Sequence, residues 1–433
     1  MTLTRAKRAR CRARRPRICG VPLPCGGAHP RPLRFRTWLF TIPVISLIFV
    51  AGCNGSRHDV TDAGLDVKPI GAPIEIKTPL GLPPVPIPPG APETAETVAL
   101  GRKLFYERKL SMDNTLACAS CHNPLLGFTD GQRHSIGVGG KVGIRNAPTL
   151  VNAAYVPAQF WDGRAHSLEE QAGGPMANPI EMNQAHEVTV SKLAADPVYR
   201  AQFAKAFGAG LVTIGKVTTA LAGFERTLIS GNSPFDQYEF GGNKSALSPA
   251  AVRGLAIFRD PKRGNCAACH TIDKSYAVSE NSRKTGTVPG SPPEDPQSSF
   301  RVGRRASAPF ALFTDGKFHN IGVGVNDEGE LTDLGRYSET KLEADKGAFK
   351  TPTLRNVAKT APYMHDGSLK TLKDVVDFYA GGGNSNPYLD KEIKTIKLSG
   401  ADRADLVEFL KSLTGEMPPN VGPPENTQMG RLK

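Results

Sequence analysis

The sequence predicts a mostly α-helical body made of two repeated halves. Three observations predict it: apolar residues recur at helical spacing, strand signals are few and short, and long segments of the chain occur twice. LGRKLFYERKLSMDNTLACASCH is echoed by RGLAIFRDPKRGNCAACH, and NAPTLVN…FWDGRAHSLEEQ by KTPTLRN…YMHDGSLKTLKDV. The second pair aligns without gaps at an offset of 204, Asn152 with Asn356, Asp162 with Asp366, Gly163 with Gly367 and Leu168 with Leu372. The halves span 93–243 and 244–415, with the boundary near Gly241–Ser245 and a tail over 416–433.

Helices are expected first in ETAETVALGRKLFYERKL, where Leu100 and Leu104 are four apart and Val98 and Phe105 seven apart. Others are expected at 187–207, 213–230, 248–258, 371–380 and 400–413. The polar, Pro-rich stretch 278–299 is expected to be an exposed insertion. Residues 54–92, rich in Pro and Gly (LGLPPVPIPPGAP), are expected to form an extended, semi-rigid tether.

At 433 residues there is room for two domains, and 39% hydrophobic residues can build two cores. The net charge of +13 would suggest a nucleic-acid partner, but eleven of the basic residues fall in 1–53, which hold no Asp or Glu. Without that leader the charge is only +2, so no nucleic-acid partner is expected. The leader has the form of an export signal: a basic stretch to Arg36, then an apolar run from Trp38 to Ala51. That run of about 14 residues is short for a bilayer span, which needs roughly 20. Val50-Ala51-Gly52-Cys53 resembles a lipobox and predicts a lipid anchor on Cys53 at a periplasmic location; ordinary signal cleavage nearby is the alternative.

Cysteine usage carries the chemistry. Beyond the leader the cysteines fall in two pairs, Cys118/Cys121 and Cys266/Cys269, each followed by a histidine. CASCH and CAACH both fit C-x-x-C-H, in which two thiols reach the two vinyl groups of a haem and the adjacent His ligates its iron. One such pentapeptide could be a zinc half-site. Two, each behind the same helix-like lead-in, predict two covalent c-type haems with His122 and His270 as proximal ligands. The repeat also addresses the opposite axial positions, because Pro175 corresponds to Tyr379 at the same offset. Proline cannot ligate iron, whereas tyrosine can as phenolate. One open, reactive haem and one closed haem are expected.

At these residues the chain resembles the bacterial di-haem cytochrome c peroxidase and MauG family over roughly residues 95–415. RNAPTLVNAAY, QFWDGRAHSLEEQAGGPMANPIEM and TPTLRNVAKTAPYMHDGSLKTL carry the resemblance. It implies two class-I cytochrome c-like domains, with hydrogen peroxide reduced to water at the N-terminal haem and electrons relayed by the C-terminal one. The electron source would be a small cytochrome c or cupredoxin, or, in MauG-like members, a residue of a partner protein. Glu181 matches the distal acid–base glutamate, Gln171 a distal amide, and Trp161 a tryptophan between the haems. Asn146, Thr360 and Pro362 fall where the family holds a calcium ion, and oxygen donors suit Ca²⁺.

Two departures matter. The blocking distal histidine of members that need reductive activation is replaced by Val138, with His134 nearby either at the surface or as a shifted ligand. Tyr379 stands where standard members use methionine, which leans towards the MauG-like branch, and Met364 is a rival ligand. His319 and His365 are possible pocket residues. A non-catalytic electron-transfer protein is the remaining alternative; it requires both irons to be six-coordinate.

Overall fold

The computed structural model describes residues 67–89, 91–272 and 310–425. The leader, Cys53, the segment 278–299 and the last residues of the tail lie outside the described residues. From Asp59 onward the chain is one compact unit. The described part is mostly helical, with one two-stranded antiparallel sheet pairing Phe318–His319 with Phe349–Lys350. Among the described residues no helix is long and apolar enough to cross a membrane.

The first half is built on α1 (Ala95–Phe105), which starts where Thr94 caps it in a capping box with Thr97. Its Leu100, Leu104 and Phe105 are buried against α6 (Ile214–Arg226), whose apolar stripe is Val217, Ala220, Leu221 and Phe224. Burying a side chain of this size stabilises by roughly 1.5–3 kcal/mol. The helices cross at Gly101, where a Cβ would lie 1.8 Å from the Ala220 carbonyl oxygen, so only glycine permits this approach. Between them come α2 (Cys118–Cys121), α3 (Leu168–Ala177), α4 (His186–Ala195) and α5 (Pro197–Phe207). The single helix expected over 187–207 is therefore two. Asp196 caps Val198 and Pro197 opens the next helix, where its missing N–H costs nothing.

The second half repeats this crossing. After the short α7 (Pro234–Glu239), α8 (Pro249–Arg259) is capped by Ser248 and buries Leu255, Ile257 and Phe258. It packs on α11 (Gly400–Lys411) through Leu406, Phe409 and Leu410. Gly254 takes the part of Gly101, since its Cβ would meet the Asp405 carbonyl oxygen at 2.0 Å. Between them lie α9 (Tyr337–Thr340) and α10 (Leu372–Gly381), the latter with the bounds of α3 shifted by 204 residues. The same shift relates left-handed Asn152 (φ 64°) to Asn356 (φ 60°) and Phe160 (φ 64°) to Met364 (φ 74°). It also relates the bridge Gln159–Ala165 to Tyr363–Leu369.

The halves meet in a reciprocal seam. The Asn146 N–H donates to the His365 carbonyl at 2.7 Å, and the Lys350 N–H donates to the Trp161 carbonyl at 2.8 Å. Lys350 is the counterpart of Asn146, and His365 that of Trp161, at the offset of 204.

Residues 67–89 are extended, as their composition predicts, but they are not a free tether. Ile70 N–H bonds the Ala206 carbonyl and Ile74 N–H that of Glu93. Leu82 joins Tyr155, Ile229, Phe310 and Leu312 in a small core, and Arg355 donates to the Gly81 carbonyl at 2.6 Å. Unpaired carbonyls and apolar side chains in the stretch find partners on the body, which an isolated Pro-rich reading does not reveal. The tail likewise returns to α1, where Tyr106 Oη donates to the Val421 carbonyl at 2.6 Å.

Candidate haem and peroxide site

Both C-x-x-C-H segments open on one cavity of about 910 Å³, lined by Cys118, Cys121, His122, Cys266, Cys269 and His270. The two histidines are oriented alike. His122 Nδ1 bonds the Phe128 carbonyl and His270 Nδ1 the Phe313 carbonyl, each at 3.0 Å. Phe128 (φ 59°) and Phe313 (φ 55°) are left-handed and fully buried, which aims these carbonyls at the rings. With Nδ1 engaged, Nε2 is the atom available to a metal. Burial lowers both histidine pKa values, so the rings are neutral, the form that ligates iron.

The zinc half-site alternative fits poorly. Among the described residues, the group of three His, Cys or carboxylate side chains whose ligand atoms converge is Cys269, Asp315 and His319. Neither C-x-x-C-H gathers its own thiols and imidazole on a common point. Within that other group, His319 is bound by Asp315 at 3.0 Å and by Asp390 at 2.6 Å. Hydrogen bonds to Asp315, Cys269 and Asp390 push its pKa up to about 11.

The two sides of the cavity differ in character. On the first, α3 presents Gln171, Ala172 and Pro175, and the turn after it presents Asn178, Ile180 and Glu181. Asn178 donates to Glu181 Oε1 at 2.6 Å. Burial raises the Glu181 pKa, opposed by Arg164 and the Asn178 bond. The Glu181 carbonyl accepts from Val138 N–H at 2.8 Å, and a Cβ on Gly137 would lie 2.0 Å from the Ile180 carbonyl oxygen. The loop at 137–138 is thus docked on the glutamate turn. Val138 is buried and lies off the cavity wall, and His134, half-buried with no hydrogen bond to Nε2 among the described residues, is also off it.

On the second side, α10 presents Val375, Val376 and Tyr379 at the places of Gln171, Ala172 and Pro175. Tyr379 is half-buried on the cavity wall, and burial with the nearby Cys269 and Cys266 raises its pKa far above that of free tyrosine. Met364 also lines the cavity.

The seam supplies the middle of the wall. Trp161 Nε1 donates to the Asn146 carbonyl at 2.9 Å, and its ring meets that of His365 edge to face at 6.5 Å. Phe349 stacks on His365 at 3.5 Å, and burial lowers the His365 pKa to about 4. Asn146, Thr360 and Pro362 line the same cavity. Asn146 Nδ2 donates to the Gln132 carbonyl at 2.8 Å, which leaves Oδ1 as its free donor to a cation.

Several residues that shape the site carry no motif. Glu225, on α6, is fully buried with Oε2 unpaired, and burial lifts its pKa to about 8. Phe128 and Phe313 act through their carbonyls, which no side-chain pattern marks. Lys350 could have been found by carrying Asn146 forward 204 residues.

Comparison with known proteins agrees with this geometry. The family model for di-haem cytochrome c peroxidase matches residues 95–245. The methylamine utilization protein MauG of Methylorubrum extorquens is 39% identical over 77% of this chain and 82% of its own. Cytochrome c551 peroxidase of Nitrosomonas europaea is 36% identical over 80% of this chain and 89% of its own. The crystal structure of a MauG-like protein associated with microbial copper homeostasis superposes with a TM-score of 0.65 at 31% identity, over 79% of this chain and 96% of that one. Two haem-attachment segments facing one cavity, and relatives of both names at similar identity, lead to one conclusion: the chain belongs to the di-haem cytochrome c peroxidase and MauG family of oxidoreductases, whose members carry two c-type haems.

Proposed function

We propose that the chain reduces hydrogen peroxide to water on the first side of this cavity. Cys118, Cys121 and His122 would hold one haem, and Cys266, Cys269, His270 and Tyr379 the other. The haems supply the iron that binds peroxide and stores oxidising equivalents. The halves they occupy, 93–243 and 244–415, are two cytochrome c-like domains related by duplication.

One observation carries the reading: a half-buried carboxyl, Glu181, is fixed by Asn178 on the wall that Pro175 leaves without a ligand. Glu181 takes the proton of incoming peroxide and returns it to the departing oxygen, which leaves as water. Gln171 offers its amide to the bound oxygen. Trp161, bonded to Asn146 and edge-on to His365, connects the halves. Asn146 Oδ1 and the carbonyls of Thr360 and Pro362 hold a calcium ion that fixes the seam. The leader exports the protein to the periplasm, anchored by lipid at Cys53.

Electrons come from a small cytochrome c or cupredoxin. A second reading, oxidation of a residue in a partner protein, is favoured by Tyr379 on the second wall. A phenolate ligand gives a lower potential than a thioether, which disfavours uptake from an ordinary cytochrome. Rapid mixing of the fully ferric holoenzyme with peroxide tests the peroxidase reading. Direct haem oxidation is expected, since Val138 lies off the cavity wall. A ferric protein that stays low-spin and inert until partly reduced would place another ligand, His134 first, on the iron. Turnover with reduced cytochrome c against co-exported proteins separates the two readings.

A further inference from the structure

We propose that the Lys350 ammonium is the counter-ion of a haem carboxylate at the seam, and that its charge sets the potential of that haem. The inference rests on the reading that two haems fill the cavity. Lys350 lies on the cavity wall, its N–H held by the Trp161 carbonyl at 2.8 Å. Nζ donates to the Ala158 carbonyl at 2.5 Å. Among the described residues no carboxylate lies within ion-pair distance of it.

Other cations of the wall are differently placed. Arg145 is paired with Asp162 and Asp333, and Arg164 with Asp162. Lys262 and Lys394 are exposed to solvent. Asp162 is the acid whose field reaches Lys350, and two arginines already share it. Burial pushes the lysine pKa down to about 8, the mark of an ammonium that lacks an anion. Lys350 is half-buried, and a charge largely withdrawn from solvent in a folded protein is paired or neutral. A c-type haem brings two propionate carboxylates into this cavity, and one of them supplies the missing anion. The counterpart of Lys350 in the first half is Asn146, which has no charge. The cation is therefore present once, and it raises one potential rather than both.

The test is redox titration of the holoenzyme, following each haem separately, for wild type, Lys350→Met and Lys350→Arg. Removing the cation disfavours the reduced haem. The Met variant should show one haem with about a tenfold smaller equilibrium constant for reduction, equivalent to 59 mV for one electron. The Arg variant should keep the wild-type value. Two haems with both potentials unmoved in the Met variant would overturn the role of Lys350 and leave the di-haem reading intact. A wild-type protein carrying fewer than two haems, by haemochrome assay, would overturn that reading itself. A crystal structure of the wild-type holoenzyme decides without any variant. A haem carboxylate within about 4 Å of Lys350 Nζ supports the pairing, and a more distant one removes it.

Discussion

The two sides of the cavity share a backbone and differ in what they present. α3 and α10 have the same length and the same serine or threonine capping. On the first side the helix gives Gln171 and Pro175 and is followed by Glu181; on the second it gives Val375 and Tyr379. The difference teaches that the chemistry is set by substitutions on a common frame. A few side chains give one wall of the cavity a carboxyl and an amide, and the other a phenol where the first has proline.

The sharpest way to break the comparison is to remove the carboxyl. Glu181→Gln should keep both haems and slow the reaction with peroxide by roughly a hundredfold or more, the scale of a lost acid–base group. Stopped-flow absorbance reads it. The wild-type rate should fall as pH drops through the raised Glu181 pKa, because the base must be deprotonated to accept a proton. The Gln variant should lose that dependence. A wild-type rate in the variant would take Glu181 out of the reaction.

The next test makes the second wall resemble that of a methionine-ligated haem. Tyr379→Met should raise the potential of the second haem by more than the ~59 mV that marks a tenfold change. Electron paramagnetic resonance should show a changed low-spin signal. An unchanged spectrum and potential would assign the iron to Met364 or leave it open.

The smallest effects are expected where the halves are alike. Gly101→Ala and Gly254→Ala each push a methyl group into a carbonyl oxygen across a helix crossing. Each should lower stability by about 1–3 kcal/mol, read by thermal or denaturant unfolding, without moving either haem potential. A loss confined to one variant would show that the two crossings are not equivalent in energy.

Much of this was legible in the sequence because the repeat is written in residues with strong local demands. Asn152 and Asn356 sit in left-handed turns, and Gly163 and Gly367 follow suit. The capped helices α1, α6, α8, α10 and α11 begin within about two residues of the expected starts. Helix α3 was hidden because Gly173, Gly174 and Pro175 are poor helix formers, and packing holds it together. The break at Asp196–Pro197 was written in plain sight, since Asp before Pro is a cap signal. Residues 67–89 could not be placed, because extended chain takes its partners from distant parts of the fold. For the same reason Lys350 and Glu225 were silent: an ionisable side chain on a cavity wall looks like any other Lys or Glu until its surroundings are known.

The seam has one further consequence. Asn146 bonds His365 while Lys350 bonds Trp161, so this pair of main-chain contacts is made twice with the roles of the halves exchanged. That is the arrangement of an isologous two-fold interface, here closed within a single chain. Such an edge is complementary to its counterpart on any other copy of the molecule as well.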